Sequence, residues 1–296
     1  MKTTLSHLIC LVLVSGLLLS CEEQGLTSSQ KEKDDQLDSN KTAILSMSGK
    51  LFSIPSPLQT AILIRESDLS YMNEALSDMR SLDELSGNMS QAIALGIYGT
   101  DMAYASLYED GQAALKYFKA IEKLSDNLGI SGAIDATLVS RLGANSANAD
   151  SLLMLSGSFF RAADEYLKEN QRTDVAAYIL LGGWLESTLL TAKAAETGAE
   201  TSLKRMAEQK ESIHTLYEVL NSLENSDFAK SEEMKLLSSL NNLYKDVERR
   251  YELHEVETDE NSKMSRISSS SAYDMSDELR TEITELLGEL RKRIIA

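Results

Sequence analysis

The chain has 296 residues, of which 29 are basic and 46 are acidic, so its formal net charge at pH 7 is −17. Phosphate backbones repel an acidic surface, which argues against a nucleic-acid partner. The chain contains only two prolines, Pro55 and Pro57, and proline interrupts helices. A long chain nearly without proline and rich in helix-forming residues predicts an all-α fold.

The first 20 residues have the pattern of a secretory signal. Lys2 supplies a basic start, and an apolar run from Leu8 to Leu19 follows it. That run is shorter than the roughly 20 residues that a bilayer-spanning helix needs. A basic start, a short apolar run and a small residue before a cut site are typical of a signal peptide, here residues 1–20.

The segment Leu18-Leu19-Ser20-Cys21 resembles the lipobox of bacterial lipoproteins. In that family the cysteine thiol is acylated, the chain is cut just before it, and the new N-terminus is acylated too. The resemblance implies that Cys21 is the lipidation site and that the lipid bilayer is a partner. An ordinary secretory signal with a chance cysteine is the alternative. Cys10 would leave with the signal, so we expect no disulfide in the mature protein.

The residues after Cys21 bear on where the protein is held. The resemblance implies a lipid-anchored protein of the cell envelope, at the outer membrane. The acidic pair Glu22 and Glu23 resembles surface-export signals of some Gram-negative lipoproteins. Such a pair is equally typical of any solvated tether, so both the periplasmic and the surface-exposed face stay open.

Composition predicts five parts along the chain. Residues 1–20 form the signal peptide, and residues 21–51 form the lipidated cysteine and a polar, disordered tether, since they contain few bulky apolar groups. A helical domain over 52–257 follows, then a polar linker over 258–272 and a C-terminal amphipathic helix over 273–296. We expect about eight helices from the periodicity, in an antiparallel bundle or a short stack of helical hairpins.

The helices begin after the tether. Ser56 is the expected N-cap of the first helix and Pro57 its first residue. Further helices are predicted over 85–109, 113–128, 151–169, 174–196, 201–223, 231–255 and 274–295. The last of these ends in Arg291-Lys292-Arg293, which we interpret as favourable charges at the negative end of the helix dipole.

Two segments carry a second resemblance. The stretches 54–64 (IPSPLQTAILI) and 94–104 (ALGIYGTDMAY) resemble a group of uncharacterised helical lipoproteins from Gram-negative bacteria. This resemblance covers residues 52–200 and implies an all-helical fold. It implies no activity and no catalytic residue.

One candidate site is indicated by glycines and charged residues that fall inside predicted helices. Five glycines fall there: Gly96, Gly99, Gly157, Gly182 and Gly183. Each destabilises a helix by about 1 kcal/mol relative to alanine, so close helix crossing or space for a ligand must offset it. Four charged residues lie in the same segments: Arg65, Asp101, Arg161 and Glu186.

Buried charges need partners, and we predict the pairs Arg65 with Asp101 and Arg161 with Glu186. The aromatic residues Tyr98, Tyr104 and Trp184 flank them. A core with internal ion pairs is one reading of this set, and a polar pocket for a small ligand or a peptide end is the other.

The sequence contains no recognisable catalytic, metal-binding or nucleotide-binding motif. The three histidines, His7, His214 and His254, do not form a zinc motif, and no P-loop or dinucleotide fingerprint occurs. We therefore expect no metal, no cofactor and no enzymatic activity. The sequence favours a non-enzymatic helical scaffold that binds an envelope protein. The alternative is a solute- or peptide-binding lipoprotein with a pocket between the glycine-rich helices.

Overall fold

The structure is a computed structural model that describes residues 43–47, 50–54, 62, 64–66, 69–79, 82–133, 149–223, 228–253, 257–259, 264–266 and 269–295. All of them belong to one compact unit, Ser39–Ala296. The predicted signal peptide, Cys21 and the predicted helix start at Ser56 and Pro57 lie outside the described residues.

The fold is all-α, as predicted, and the described residues contain eight α-helices. They are α1 (Asn88–Leu107), α2 (Gly111–Asn127), α3 (Ala149–Glu169), α4 (Thr173–Glu196), α5 (Glu200–Ala207), α6 (Gln209–Asn221), α7 (Glu232–Leu243) and α8 (Asp277–Ile295). Short 3₁₀ turns lie before α1, at Asn73–Ala75 and Leu82–Glu84, and between later helices.

Six short strands form three antiparallel pairs. The strands are β1 (Ala43–Met47), β2 (Lys50–Ile54), β3 (Glu248–Leu253), β4 (Glu257–Asp259), β5 (Met264–Arg266) and β6 (Ser269–Asp274). β1 pairs with β2, β4 with β5, and β3 with β6, the last with Arg249 opposite Tyr273.

Helices α1 and α4 form the centre of the bundle and pack most extensively against each other. Both are buried around most of their circumference, as expected for core helices. Helices α2, α6 and α7 instead bury one face, and α8 buries a stripe that contains Ile283, Leu287, Leu290 and Ile294. The C-terminal helix is therefore an integral part of the core.

Several helix ends are capped. The Asp110 carboxylate accepts a hydrogen bond from the Ala113 N–H (3.0 Å) at the start of α2. Gly129, just beyond α2, has a φ of +66°, the left-handed conformation that favours glycine after the end of a helix. The Ser231 hydroxyl caps α7 by accepting from the Met234 N–H (3.2 Å).

The helix predicted over 231–255 is wrong after Leu243. The chain leaves the helix through a 3₁₀ turn and enters β3, where Tyr251 is 68% exposed. Pairing with β6, which follows β4 and β5 in the chain, supplies the backbone hydrogen bonds that the helix would have made. For the same reason part of the predicted linker at 258–272 is strand.

Two other boundaries differ from expectation. The helix predicted over 201–223 is two helices, α5 and α6, separated at Glu208. The C-terminal part of the predicted tether at 21–51 contains β1 and the start of β2. The two strands, AILSM and KLFSI, are themselves apolar, but they lie at the very end of a segment whose average composition is polar, which is why composition did not reveal them.

Candidate functional site

Two carboxyl groups meet in the centre of the bundle. Asp101 lies on α1 and Glu186 on α4, and both side chains are fully buried. Because α1 and α4 are the two core helices, any polar residue in the middle of either one is removed from water. Each carboxyl group therefore needs hydrogen bonds from within the protein.

The segment before α1 supplies the partners of Asp101. The Ser77 N–H donates to Asp101 Oδ2 (3.1 Å), and the Ser77 hydroxyl donates to the same oxygen. The Ser77 carbonyl in turn accepts a hydrogen bond from the Tyr117 hydroxyl (2.6 Å). These bonds hold residue 77 between α1 and α2.

The C-terminal helix supplies the partner of Glu186. Arg291 Nη1 donates to Glu186 Oε1 (2.7 Å) and also to the carbonyl oxygen of Ala75 (2.8 Å). The Arg291 side chain is 21% exposed, so it reaches from the surface into the core. Arg291 thereby joins α8 to α4 and to the segment before α1.

One oxygen of each carboxyl group has no hydrogen-bond donor. Asp101 Oδ1 and Glu186 Oε2 are buried and have no hydrogen-bond donor among the described residues. The two side chains are nevertheless within hydrogen-bonding reach of one another. Since two carboxylate oxygens only accept, a single shared proton satisfies both atoms.

The electrostatics favour this protonation state. Burial raises the pKa of Asp101 to about 6, although its hydrogen bonds from Ser77 and the charge of Arg291 act in the opposite direction. Burial and then repulsion from Asp101 raise the pKa of Glu186 well above its usual range. Of the two carboxyl groups, Glu186 is therefore the one that holds the shared proton more tightly. With that proton in place, Arg291 and ionised Asp101 balance each other in charge.

The predicted ion pairs are wrong in their cations. Arg65 and Arg161 are exposed, whereas Glu186 pairs with Arg291 and Asp101 is hydrogen-bonded by Ser77. Sequence spacing suggested partners on successive helices, but α8 packs directly against α4. Arg291 belongs to the basic triplet that the helix dipole alone seemed to explain.

The flanking aromatic residues are core residues. Tyr98, Tyr104 and Trp184 are each at most 2% exposed. The Trp184 indole N–H donates to Gln209 Oε1 (3.2 Å), and the Tyr104 hydroxyl accepts from the Met72 N–H (3.2 Å). Burial raises the pKa of both Tyr98 and Tyr104 to about 12. Among these three, Tyr98 also lines a cavity.

Close contact between α1 and α4 accounts for two of the helical glycines. A Cβ atom on Gly96 would overlap the carbonyl oxygen of Ile179, and one on Gly182 would overlap the carbonyl oxygen of Ile93. The two backbones touch at this crossing. Thr100 adds a hydrogen bond across it, from its hydroxyl to the Gly183 carbonyl oxygen (3.4 Å). No room is left for a ligand at this point between the glycine-rich helices.

A cavity of about 310 Å³ lies elsewhere, at the start of α1. Met89, Ser90, Ile93 and Tyr98 of α1 form one wall, and the end of α8 forms the opposite wall. Of the predicted site residues only Tyr98 reaches it. Among the described residues no group of three or more potential metal ligands occurs.

Comparisons with known proteins returned no match to a family model, to a curated protein or to a solved structure. One helix of the described residues, α4, is long and apolar enough to cross a bilayer. Of its most apolar 18-residue window, 89% is buried inside the bundle, as is usual for the core helix of a water-soluble domain.

Proposed function

We propose that this chain is a lipid-anchored protein of the cell envelope, held by acylated Cys21, and that its helical body is a non-enzymatic scaffold for another envelope protein. The observation that carries the proposal is the Leu18-Leu19-Ser20-Cys21 motif at the end of a short apolar run. Each buried CH₂ contributes about 0.8 kcal/mol to membrane binding. Several acyl chains on one cysteine make the attachment effectively permanent.

The centre of the bundle supports a structural role for the candidate residues. Asp101 and Glu186 are fully buried, and their hydrogen bonds connect α1, α4, α8 and the segment around Ser77. Carboxyl groups in catalytic sites must reach a substrate. Here the two carboxyl groups instead form hydrogen bonds that join elements far apart in the sequence.

Membrane fractionation of the full chain in a Gram-negative host tests the anchor. The wild type should sediment with the membranes, and Cys21→Ser should keep the uncut signal and lose acyl incorporation. Cys10→Ser is the matched control because it changes the other cysteine, inside the signal. Equal acyl incorporation in the Cys21→Ser variant would contradict the proposal.

Two further measurements address the scaffold and its orientation. Affinity purification of the full chain from detergent-solubilised envelopes should recover a protein in fixed stoichiometry, and a co-purifying small molecule without a protein would favour a binding lipoprotein instead. Protease treatment of intact cells separates the two membrane faces, because only a surface-exposed body is cut.

A further inference from the structure

The chain reaches α1 through a non-helical segment, residues 69–79, which we call the strap. Its one regular element is the 3₁₀ turn Asn73–Ala75. Within the strap only Ala75 and Ser77 are buried, and the other residues are half-buried or exposed. A segment with so few buried contacts is of the kind that opens locally while the rest of a protein stays folded.

Side chains of the helices hold the strap in place. Among the described residues, the backbone–backbone hydrogen bonds of the strap are all internal to it. Its first half is held at the C-terminal end of α1, where the Tyr108 hydroxyl donates to the Leu69 carbonyl oxygen (2.9 Å). The Tyr104 hydroxyl accepts from the Met72 N–H (3.2 Å) beside it.

The second half of the strap is held at the buried carboxyl pair. Ser77 donates to Asp101 Oδ2 through both its N–H and its hydroxyl, and its carbonyl oxygen accepts from the Tyr117 hydroxyl (2.6 Å). Arg291 Nη1 donates to the Ala75 carbonyl oxygen (2.8 Å). This half is therefore fastened to the ionisable cluster by polar contacts, and any change of charge in the cluster acts on it directly.

The closed strap leaves the carboxyl pair in need of a proton. Asp101 Oδ1 and Glu186 Oε2 are buried and have no donor among the described residues. Ionised carboxylates only accept hydrogen bonds, so the two groups remain buried side by side only while one of them is protonated. Water that enters when the strap opens satisfies both oxygens without a proton.

The other titratable and charged groups around the pair come from α8, α1, α2 and the strap. They are Arg291, Tyr98, Tyr117, Tyr71 and Asp78. Burial raises the pKa of Tyr98 to about 12 and the pKa values of Tyr117 and Tyr71 further, so the three phenols stay neutral. Asp78 is exposed to water. The carboxyl pair is therefore the part of this cluster whose proton count changes between pH 5 and pH 8.

We propose that the strap is a proton-dependent clasp, closed while Asp101 and Glu186 share a proton and open once they have lost it. Opening separates Ser77 from Asp101 and admits water to the pair. In the closed state burial holds the pKa values of both carboxyl groups above their ordinary range, and contact with water returns them towards it. Closing therefore takes up a proton, and a rise in pH favours the open strap.

Hydrogen–deuterium exchange of the detergent-solubilised full chain between pH 5 and pH 8 tests the clasp. Protection factors, which correct for the effect of pH on intrinsic exchange, are measured for the strap, for the centre of α4 and for the β3–β6 pair. The strap should be less protected than α4 at every pH, and its protection should fall by about tenfold per pH unit, the slope of one released proton. The β3–β6 pair, which packs against α5, should keep its protection. Strap protection equal to that of α4, or constant over this range, would overturn the proposal.

Two variants separate the proton from the hydrogen bonds. In Glu186→Gln the amide is a permanent donor for Asp101, so strap protection should no longer depend on pH, and an unchanged slope would contradict the clasp. Ser77→Ala removes a donor to a charged acceptor and should lower strap protection by about tenfold at every pH. Ser125→Ala is the matched control, because the buried Ser125 hydroxyl donates to the Ile121 carbonyl oxygen within α2 (2.7 Å). If the Ser77→Ala and Ser125→Ala variants protect the strap equally, the strap is not held at Asp101 and the proposal fails.

Discussion

Arg291 and Glu186 are 105 positions apart in the sequence, and Arg291 Nη1 lies 2.7 Å from Glu186 Oε1 in the centre of the bundle. The contact joins the last helix to the core helix α4. Because Arg291 also bonds the Ala75 carbonyl oxygen, a single side chain connects three distant parts of the chain. The stability of the bundle should therefore depend on it.

Arg291→Gln should lower the free energy of unfolding by about 3 kcal/mol, because it leaves a buried carboxyl pair without its cation. Urea unfolding followed by circular dichroism measures the change. Lys292→Gln is the control and should change the free energy of unfolding by no more than about 0.5 kcal/mol, since Lys292 is exposed. Equal destabilisation by both variants would show that the ion pair does not hold α8.

The shared proton predicts a pH dependence of stability. The pKa values of Asp101 and Glu186 are raised in the folded protein, so the folded state retains a proton that the unfolded state has lost. The free energy of unfolding should therefore fall as pH rises from about 4.5 through the folded pKa values. The slope from one proton is at most about 1.4 kcal/mol per pH unit.

Glu186→Gln isolates that contribution, because a neutral amide replaces the protonated carboxyl and can still donate to Asp101. The free energy of unfolding of the wild type minus that of this variant should decrease between about pH 5 and pH 8. Urea titrations at several pH values measure the difference. A difference that stays constant over this range would mean that the carboxyl pair holds no extra proton.

Replacing glycine by alanine should have opposite effects on stability at the α1–α4 crossing and at an open position of α8. Gly96→Ala should destabilise the protein by more than about 3 kcal/mol, because the new methyl group would overlap the Ile179 carbonyl oxygen. Gly288→Ala, in α8, meets nothing within 4 Å and should stabilise it by up to about 1 kcal/mol. Thermal melts of both variants give the comparison, and a mild effect of Gly96→Ala would contradict the backbone contact.

The sequence predicted the helices well because their periodicity is local. The elements expected at 85–109, 113–128, 151–169, 174–196 and 274–295 all occur, with ends shifted by at most three residues. The strands were missed because β3 is stabilised by pairing with β6. The sequence of residues 248–253 alone does not indicate that pairing. Tyr251 continues a helical spacing by coincidence.

Of the buried charged cluster, only the two acidic residues were predicted from the sequence. Asp101 and Glu186 stand out as charges inside apolar runs, and burial of both is confirmed. Their cation could not be found by spacing, because Arg291 comes from the far end of the chain. A signal did exist: Leu287 lies four residues before Arg291 and Ile294 three residues after it, and both are buried, so Arg291 lies on the apolar face of α8.

Intact-mass spectrometry of the full chain purified from membranes tests the central proposal, that a lipid anchor at Cys21 holds this helical body in the envelope. The account predicts a chain that begins at Cys21 and exceeds its sequence mass by the mass of the attached acyl groups. A chain that begins at Met1, or one that begins at Cys21 with a free thiol, would contradict it.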